Sequence, residues 1–403
     1  MDNNIKPVTT IEDFDWMADN CTNFKEKRAY MPLPESEQEA SFPIAYSILA
    51  YQDLEQLEKL LRAIYAPQNF YCIHVDAKIS EKILKVIQKI VSCFTNVFFP
   101  DELVTVWWGH ISIMHAEMLC LEKLLQHKWK YFINLSGQMF PLKSNAEIVS
   151  VLKMFNGAND IEGSSKKDFH KWFRQALKWK HSKLINSNVF MPMFKSTPPH
   201  NVTLYTGTNQ VIISRKFAVY FLYSKISLDL IEWFSDTLVP DEYIWPTLNH
   251  NPHLQVPGGY KGNPDTKPFI SRLTLWKPIL PISPRLADWD CKGMFIRNIC
   301  IFGVGDLTWI VKHPQLFVNK FHSDYQWLSL ECMEELVFNK TKNYLLQYGK
   351  KKSQNSDKNS VGAYDDFNLG KLSDLTFYEN LPFILDPSLV NTNEELDFNK
   401  LFK

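Results

Sequence analysis

The sequence predicts an α/β fold in which a mostly parallel central sheet is covered by helices on both faces. Two observations support this prediction. From residue 42 to residue 135, short apolar runs typical of buried strands alternate with segments whose apolar residues recur at helical spacing. At 403 residues, 45% of them hydrophobic, the chain is also long enough to bury a large core. This alternation is typical of parallel strands joined by crossover helices.

The predicted elements follow one another in a regular order. Continuous apolar runs predict strands at 45–49, 70–75, 97–99, 131–135 and 211–213. Apolar residues three or four positions apart predict helices at 54–64, 83–90, 113–125, 217–221 and 229–233. We therefore divide the chain into a polar lead-in segment at 1–41, one α/β domain at 42–341, and a polar, disordered C-terminal tail at 342–403.

Composition excludes several classes of function. Lysine and arginine together number 44, as do aspartate and glutamate, so no net charge attracts a nucleic acid. The chain has neither a GxGxxG fingerprint nor a phosphate-binding GxxxxGK[ST] loop. Its apolar runs are shorter than the ~18 to 20 residues of a membrane span, and no CxxC pair suggests zinc.

Residues that follow the predicted strands are the first candidates for ligand binding, because parallel α/β sheets bind ligands at the carboxyl ends of their strands. The first strand leads into Leu49, Ala50 and Tyr51. The second leads into Asp76, Ala77 and Lys78. Asp76 could bind a ribose hydroxyl or could simply cap a helix, and the sequence leaves both interpretations open.

Charged residues later in the chain each allow two interpretations. Glu242, after Asp241 at a helix start, could be a general base with a raised pKa or part of an ordinary acidic helix opening. Asp288 and Asp290 could share a divalent cation. Three cations could instead neutralise a diphosphate without a metal, or form a solvated basic face: Arg297, Lys312 and Lys320.

Several segments together resemble the core 2 and I-branching β-1,6-N-acetylglucosaminyltransferases of mucin-type glycan synthesis. The similarity runs in order from about Cys21 to Cys332. The segments that carry it are Phe42-Pro-Ile-Ala-Tyr-Ser-Ile48, Leu60-Leu-Arg-Ala-Ile-Tyr65, Pro67-Gln-Asn-Phe-Tyr-Cys-Ile-His-Val-Asp76, Pro240-Asp-Glu-Tyr243, Gly305-Asp-Leu307 and Asn319-Lys-Phe321.

The resemblance implies a GT-A type catalytic domain at 42–341 that transfers GlcNAc from UDP-GlcNAc, with inversion and without a metal or other cofactor. The acceptor would be the 6-hydroxyl of GalNAc or galactose on the O-glycans of glycoproteins. Glu242 matches the family's catalytic base, and Arg297 and Lys320 match its diphosphate-binding cations. The other nucleotide-binding positions fall on Leu49, Ala50, Tyr51, Asp76, Ala77, Lys78 and Trp108.

Acceptor-binding positions also carry over from the family, with departures. Glu162 matches a carboxylate that binds acceptor hydroxyls. The Lys-x-x-Arg pattern of relatives matches Lys171 and Arg174 if one residue is inserted after Glu162, and Lys261 matches a further contact in a shorter loop. Pro246 stands where relatives carry a small residue.

The family pattern also pairs six of the seven cysteines. It joins Cys21 to Cys93, Cys72 to Cys120 and Cys291 to Cys300, whereas Cys332 lacks the upstream partner of its relatives. Disulfides indicate an oxidising compartment, and the resemblance implies a type II membrane protein of the Golgi lumen. The sequence contains no membrane anchor, so we expect either a truncated chain or a protein that has lost its anchor. The missing partner of Cys332 favours truncation.

Two other functions remain alternatives at this point. A catalytically silent, glycan-binding relative would keep the fold without turnover, but it would need neither a base nor cations for a leaving group. A peptide xylosyltransferase of the wider family would keep the base and change both donor and acceptor. The combination of Glu242, Arg297 and Lys320 favours an active branching transferase.

Overall fold

The computed structural model describes residues 9–32, 34, 36–166, 169–277, 290–354 and 374–392. Its α-helices are α1 (Ile11–Met17), α2 (Cys21–Lys27), α3 (Glu37–Ala40), α4 (Leu54–Ile64), α5 (Glu81–Ser92), α6 (Ser112–Leu125), α7 (Asn145–Phe155), α8 (Phe169–Ala176), α9 (Arg215–Tyr223), α10 (Lys225–Phe234), α11 (Asp241–Asn249), α12 (Leu307–Ile310), α13 (Leu328–Gln354), α14 (Thr376–Glu379) and α15 (Pro382–Leu385). Its strands are β1 (Ile44–Ala50), β2 (Phe70–Val75), β3 (Val97–Phe98), β4 (Tyr131–Ser136), β5 (Met139–Pro141), β6 (Leu177–Ser182), β7 (Ser187–Phe194), β8 (Ile212–Ser214), β9 (Arg272–Thr274), β10 (Met294–Ile296), β11 (Ile299–Ile301) and β12 (Phe317–Asn319).

The central sheet has five strands in the order β3-β2-β1-β4-β8. The first four run parallel to one another, and β8 pairs antiparallel with β4 at the edge. Crossovers through α4, α5 and α6 connect the parallel strands, as right-handed βαβ geometry requires. The predicted mostly parallel sheet is therefore confirmed.

Helices cover both faces of this sheet because alternate residues of each strand point to opposite sides. On β1, Ile44, Tyr46 and Ile48 join the core beneath α4, α5 and α7, whereas Ala45 joins the core beneath α6, α9 and α11. Cys72 on β2 faces the second core in the same way, between Tyr71 and Ile73 of the first. Because both faces of these strands are buried, their sequences are continuous apolar runs.

A second, smaller sheet lies beside the central one and forms a third core. Its strands are ordered β5-β12-β9, with β12 antiparallel to β5 and parallel to β9. Phe140, Leu273 and Val318 are buried in it together with Phe302 and Met333. This sheet brings the segment around residue 272 and the segment around residue 320 next to each other.

Three disulfides stabilise the fold. They join Cys21 to Cys93, Cys72 to Cys120 and Cys291 to Cys300, the same pairs that the family resemblance implies. Cys332 on α13 is an exposed free thiol. Closing loops of 72 and 48 residues lowers the entropy of the unfolded chain by more than the short loop of 9 residues does.

The amino-terminal segment differs from the polar lead-in expected at 1–41, because its described part, from residue 9 on, contains the helices α1, α2 and α3. Helix α1 starts with Thr10 in a capping box with Asp13. Phe14 and Phe24 are 1% and 0% exposed in the first core. The Cys21–Cys93 disulfide links the start of α2 to the end of α5. A few apolar side chains are enough to dock a segment that is otherwise polar.

The carboxy-terminal segment also departs from the expectation of a disordered tail at 342–403. Helix α13 continues to Gln354, and for residues 374–392 the expectation is wrong. Four side chains of that segment are buried in the first core, namely Tyr378, Leu381, Phe383 and Val390. The backbone N–H of Gly258 donates to Asn391 O at 2.9 Å, and that of Lys261 donates to Leu389 O at 2.8 Å.

Helix α13 is the longest described helix, with 27 residues. Leu330, Met333 and Val337 face the third core, and Glu334 forms ion pairs with Lys59 and Arg62 of α4. None of the helices in the described ranges combines the length and the apolar character that a membrane span needs.

Phe383→Ala tests the docking of the carboxy-terminal segment. Phe383 is 3% exposed, so we expect the substitution to lower the free energy of unfolding by about 3–5 kcal/mol, through lost burial and the cavity left behind. Chemical denaturation of the oxidised protein measures the change. Leu385→Ala is the control, because Leu385 is 66% exposed and its loss should cost less than about 0.5 kcal/mol. Equal effects of the two substitutions would contradict the docking.

Candidate active site

The ends of β1 and β2 bring the first two candidate loops together. The backbone N–H of Asp76 donates to Ala50 O at 2.9 Å, so the second loop begins beside the first. The Asp76 carboxylate accepts from the Lys78 backbone N–H at 2.9 Å and from Lys78 Nζ at 2.7 Å. Leu49, Ala50, Tyr51, Asp76, Ala77 and Lys78 thus lie at one edge of the sheet, as predicted for strand ends.

Aromatic rings surround this edge. Lys78 Nζ lies 4.3 Å from the ring centroid of Trp107 and 5.6 Å from that of Tyr51, and it donates to Val106 O. The Tyr51 and Trp108 side chains are 53% and 66% exposed. These exposed rings beside a buried carboxylate can stack on a flat ligand ring, while the carboxylate accepts hydrogen bonds from hydroxyls.

Two cations lie on elements outside the central sheet, one on the β10–β11 hairpin and one after β12 of the small sheet. Arg297 and Asn298 form the two-residue turn of the β10–β11 hairpin, with φ of +50° and +65° as such tight turns require. Lys320 follows β12, and its Nζ donates to Gln138 Oε1 at 3.3 Å. Burial lowers the pKa of Lys320, and the nearby charge of Arg297 lowers it further.

Gln138 connects these cations to the central sheet. It follows Gly137, whose backbone N–H donates to Leu49 O at 3.0 Å. The N–H of Phe321, next to Lys320, donates to Gln138 O at 3.0 Å. The cation pair and the candidate nucleotide loops therefore adjoin. Two positive charges at this place can stabilise a negatively charged leaving group.

Glu242 lies in the first turn of α11, with its side chain 35% exposed. Burial raises the pKa of Glu242, the positive charges of Arg174 and Arg272 lower it, and the negative charge of Glu162 raises it. Arg174 Nη1 lies 3.5 Å from Glu242 Oε2. A partly exposed carboxylate with a raised pKa can accept a proton from a bound hydroxyl.

A close backbone contact places Glu162 beside Glu242. Pro246 lacks an N–H, so it cannot form the helical hydrogen bond to the carbonyl of Glu242 four residues earlier. The N–H of Gly207 donates to that carbonyl instead, at 2.9 Å. A Cβ atom at Gly207 would lie 2.3 Å from Glu162 O, so only glycine allows this approach. The neighbouring residues Ser164 and Thr206 form an antiparallel bridge that continues the contact.

The remaining candidate acceptor residues differ in their placement. Lys171 and Arg174 occupy the same helix, α8, and their positive charges both act on Glu242. Lys171 Nζ also donates to Lys166 O at 3.4 Å. Lys261 is exposed, and its described backbone bond is to Leu389 of the carboxy-terminal segment. The contacts of the described chain thus join Glu162, Lys171 and Arg174 to Glu242, but they do not join Lys261 to it.

Arg272 on β9 is a member of this cluster that the sequence analysis missed. Its Nη2 donates to Thr208 Oγ1, and its charge acts on Glu162 and Glu242. Burial lowers the pKa of Arg272 to about 10, although those two carboxylates oppose the shift. An arginine inside the apolar run at 269–275 was the signal in the sequence, because a charge on a buried strand needs a partner.

Two buried carboxyl groups lie behind Glu242. Asp241 and Glu117 are each 4% exposed, and burial raises the pKa of each to about 7. The charge of Glu242 adds to the shift of Asp241, and so does the charge of Glu117. Asn134 Nδ2 donates to Glu117 Oε1 at 3.3 Å. Both groups are therefore largely protonated at pH values of about 6 and below.

Two groups of residues could in principle bind a metal ion, the suggested aspartate pair and a cluster beside it. Asp288 lies outside the described residues, so the suggested pair with Asp290 has no structural description. Within the described ranges, one group of three potential ligands occurs, formed by Cys291, Cys300 and Asp306. The two cysteines are joined in a disulfide, and Asp306 accepts from the backbone N–H groups of Lys292 and Gly303. That group is consequently a structural turn.

The chain is similar to known proteins over most of its length. The profile of the family described as Core-2/I-Branching enzyme matches residues 44–311. The human beta-1,3-galactosyl-O-glycosyl-glycoprotein beta-1,6-N-acetylglucosaminyltransferase is 36% identical over 337 residues, which cover 82% of this chain and 78% of the relative. A human relative with the same name and the number 3 is 39% identical over 325 residues, covering 79% and 73%. The matched region includes Glu242 and every residue of the cluster around it.

Asp241→Asn tests the protonation of the buried pair. The pKa of Asp241 is about 7 in the folded protein and ~4 in an unfolded chain, so folding takes up a proton between these pH values. The stability of the native protein should therefore fall as pH rises from about 4 to 8. An asparagine side chain at this position cannot bind this proton. We therefore expect the free energy of unfolding of Asp241→Asn, measured relative to that of the native protein, to rise by roughly 3–4 kcal/mol between about pH 4 and pH 8.

Denaturant unfolding at several pH values measures this difference. Asp324→Asn is the control, because Asp324 is 89% exposed and the same change there should leave the pH dependence unaltered. A constant difference between the native protein and Asp241→Asn at every pH would show that Asp241 does not carry the proton.

Proposed function

The chain belongs to the core-2/I-branching enzyme family of glycosyltransferases, and from this premise we propose that it transfers GlcNAc from UDP-GlcNAc to a 6-hydroxyl of an O-glycan, forming a β-1,6 branch. The single observation that carries the proposal is the placement of Glu242. This carboxylate lies at the start of α11 among Glu162, Arg174 and Arg272, within a chain whose strand ends bring the candidate nucleotide-binding residues to one edge of the central sheet.

Glu242 acts as the general base in this proposal. It takes the proton of the acceptor 6-hydroxyl as that oxygen forms a bond to the anomeric carbon of GlcNAc. The bond between the anomeric carbon and the diphosphate oxygen breaks on the opposite face, and the electron pair leaves with UDP. One displacement of this kind inverts the α-linked donor sugar to a β-linked product.

Arg297 and Lys320 stabilise the departing diphosphate. Charge develops on the UDP oxygens as the sugar leaves, and two fixed cations can neutralise it in the way that a divalent metal does in other transferases. The effect of Arg297 on the pKa of Lys320 supports this pairing, because it requires the two charges to be close. We therefore propose that the reaction needs neither a metal nor another cofactor.

The donor nucleotide binds at the ends of β1 and β2. The residues proposed for this role are Leu49, Ala50, Tyr51, Asp76, Ala77, Lys78 and Trp108. Asp76 accepts hydrogen bonds from ribose hydroxyls, and the exposed ring of Tyr51 or Trp108 stacks on a ring of the donor. The bond between Asp76 N–H and Ala50 O supports this role, since it holds the two loops next to each other.

The acceptor binds at the residues around Glu242, namely Glu162, Lys171 and Arg174. Lys261 is a further candidate that the described contacts do not join to Glu242. A carboxylate and a guanidinium recognise paired sugar hydroxyls by opposite hydrogen-bonding roles. The names of the relatives specify β-1,3-galactosyl O-glycosyl groups on glycoproteins, and we propose the same class of acceptor here. The three disulfides fit the oxidising Golgi lumen that we propose as the location.

Transfer from UDP-GlcNAc to core 1, core 3 and lactosamine acceptors, measured in EDTA with the product linkage determined, tests the proposal. We expect a β-1,6-linked GlcNAc product on at least one acceptor and an unchanged rate in EDTA, because Arg297 and Lys320 replace the metal. Loss of product in EDTA, with recovery in Mn²⁺, would contradict the metal-free step. UDP binding without product on any acceptor would indicate a silent glycan-binding protein instead.

A further inference from the structure

A buried carboxylate, Asp160, binds the backbone just before Arg272 and lies two residues before Glu162. Asp160 has a side chain that is 0% exposed, and its Oδ2 accepts from the N–H groups of Ile270 and Ser271 at 3.0 and 2.7 Å. Lys267 Nζ pairs with Asp160 Oδ1 at 2.7 Å. The start of β9 and the segment leading to Glu162 are thus bound to one side chain, which limits the movement of Arg272 relative to Glu162.

Two nitrogens of the Arg272 guanidinium differ in their contacts within the described chain. Nη2 donates to Thr208 Oγ1, whereas Nε is buried and lacks a hydrogen-bond partner in the described chain. Thr208 follows Gly207, the residue whose N–H binds the carbonyl of Glu242. The short segment from Thr206 to Thr208 therefore approaches Glu162 O and binds Glu242 O through Gly207, and it binds Arg272 through Thr208.

Charged groups face Glu242 from every element around it. Arg174 and Lys171 approach from α8, Arg272 from β9, and Glu162 from the segment after α7. Asp241 precedes Glu242 on α11, with Glu117 of α6 behind it. Among the cations, Arg272 is the one fixed on a strand.

We propose that Arg272 is a positioning residue that keeps Glu242 negatively charged, and so able to accept a proton, while Glu162 lies beside it. The inference rests on the proposed function of Glu242 and adds a role to a residue that has no place in the transfer step. Without Arg272, the two carboxylates would face each other as like charges in a partly buried site, and protonation would relieve the repulsion.

Arg174 is less suited to this role although it is nearer to Glu242. Its side chain is 33% exposed, its distance from Glu242 Oε2 is 3.5 Å, and the proposed acceptor competes for its donors. A charge interaction in contact with water is weaker than one in a water-poor environment. Arg272 is half-buried, its Nε is buried, and its Nη2 donates to Thr208 Oγ1, so its charge stays in place whether or not an acceptor is bound.

Titration of Glu242 in Arg272→Met and Arg272→Lys tests the inference without turnover. Protein labelled with ¹³C at the glutamate carboxyl carbons reports each ionisation by NMR, and the signal missing from Glu242→Gln assigns Glu242. We expect Arg272→Met to raise the titration midpoint of Glu242 by about one pH unit or more, and Arg272→Lys to keep it near that of the native protein. Arg215→Met is the matched control and should shift nothing, because Arg215 donates to Leu125 O and is not among the charges that act on Glu242.

The same variants should show the change in transfer rate. Below the midpoint, a rise of about one unit lowers the charged fraction of Glu242 tenfold, so transfer by Arg272→Met should fall about tenfold at low pH and recover at high pH. Loss that is equal at all pH values, or an unchanged midpoint, would overturn the inference. If Arg272→Met does not fold, Thr208→Val should shift the midpoint in the same direction by less, and no shift there would also overturn it.

The two proposals fail in different ways. If the native protein transfers no sugar, the proposed function fails, yet the NMR midpoint still shows whether Arg272 keeps Glu242 charged. If transfer occurs but the titration midpoint of Glu242 is the same in Arg272→Met as in the native protein, only the positioning role fails.

Discussion

The hydrogen bond from the N–H of Gly207 to the carbonyl of Glu242 is the interaction on which the arrangement of the proposed acceptor side depends. Pro246 makes it possible, because a proline four residues later leaves that carbonyl without its helical partner. The missing side chain of Gly207 is equally necessary, since a Cβ atom would lie 2.3 Å from Glu162 O. One backbone contact thus determines the spacing of two carboxylates, and it places Thr208 where it can hold Arg272.

The donor side depends on a different constraint, the common edge of a parallel sheet. The ends of β1 and β2 must lie side by side because the strands pair residue for residue from Ala45 with Phe70 to Ala50 with Val75. The small sheet then brings Lys320 to the same edge through Gln138. Helix α11, which carries Glu242, packs in the core that covers one face of the central sheet, where its Trp245 is 1% exposed.

Much of the central sheet and its helices could be predicted from the sequence, since local periodicity reports burial directly. The helix expected at 113–125 is α6 (Ser112–Leu125), and the strand expected at 131–135 is β4 (Tyr131–Ser136). The termini could not be predicted in the same way, because their order comes from single side chains such as Phe14 and Phe383 docking on distant parts of the chain. Candidate residues at strand ends could be named, whereas Arg272 could not, because its neighbours Glu162, Thr208 and Glu242 are far from it in sequence.

The central claim is that Glu242 removes the proton of the acceptor, and single-turnover transfer by Glu242→Gln measures it most directly. Glutamine preserves the size and the hydrogen-bonding reach of the side chain but cannot take up the proton. We expect transfer to fall by about 10³-fold, within the range of general-base catalysis, while the affinity for UDP stays unchanged because the nucleotide residues are elsewhere. Glu335→Gln, an exposed change on α13, is the control. Transfer by Glu242→Gln at the rate of the native protein would contradict the claim.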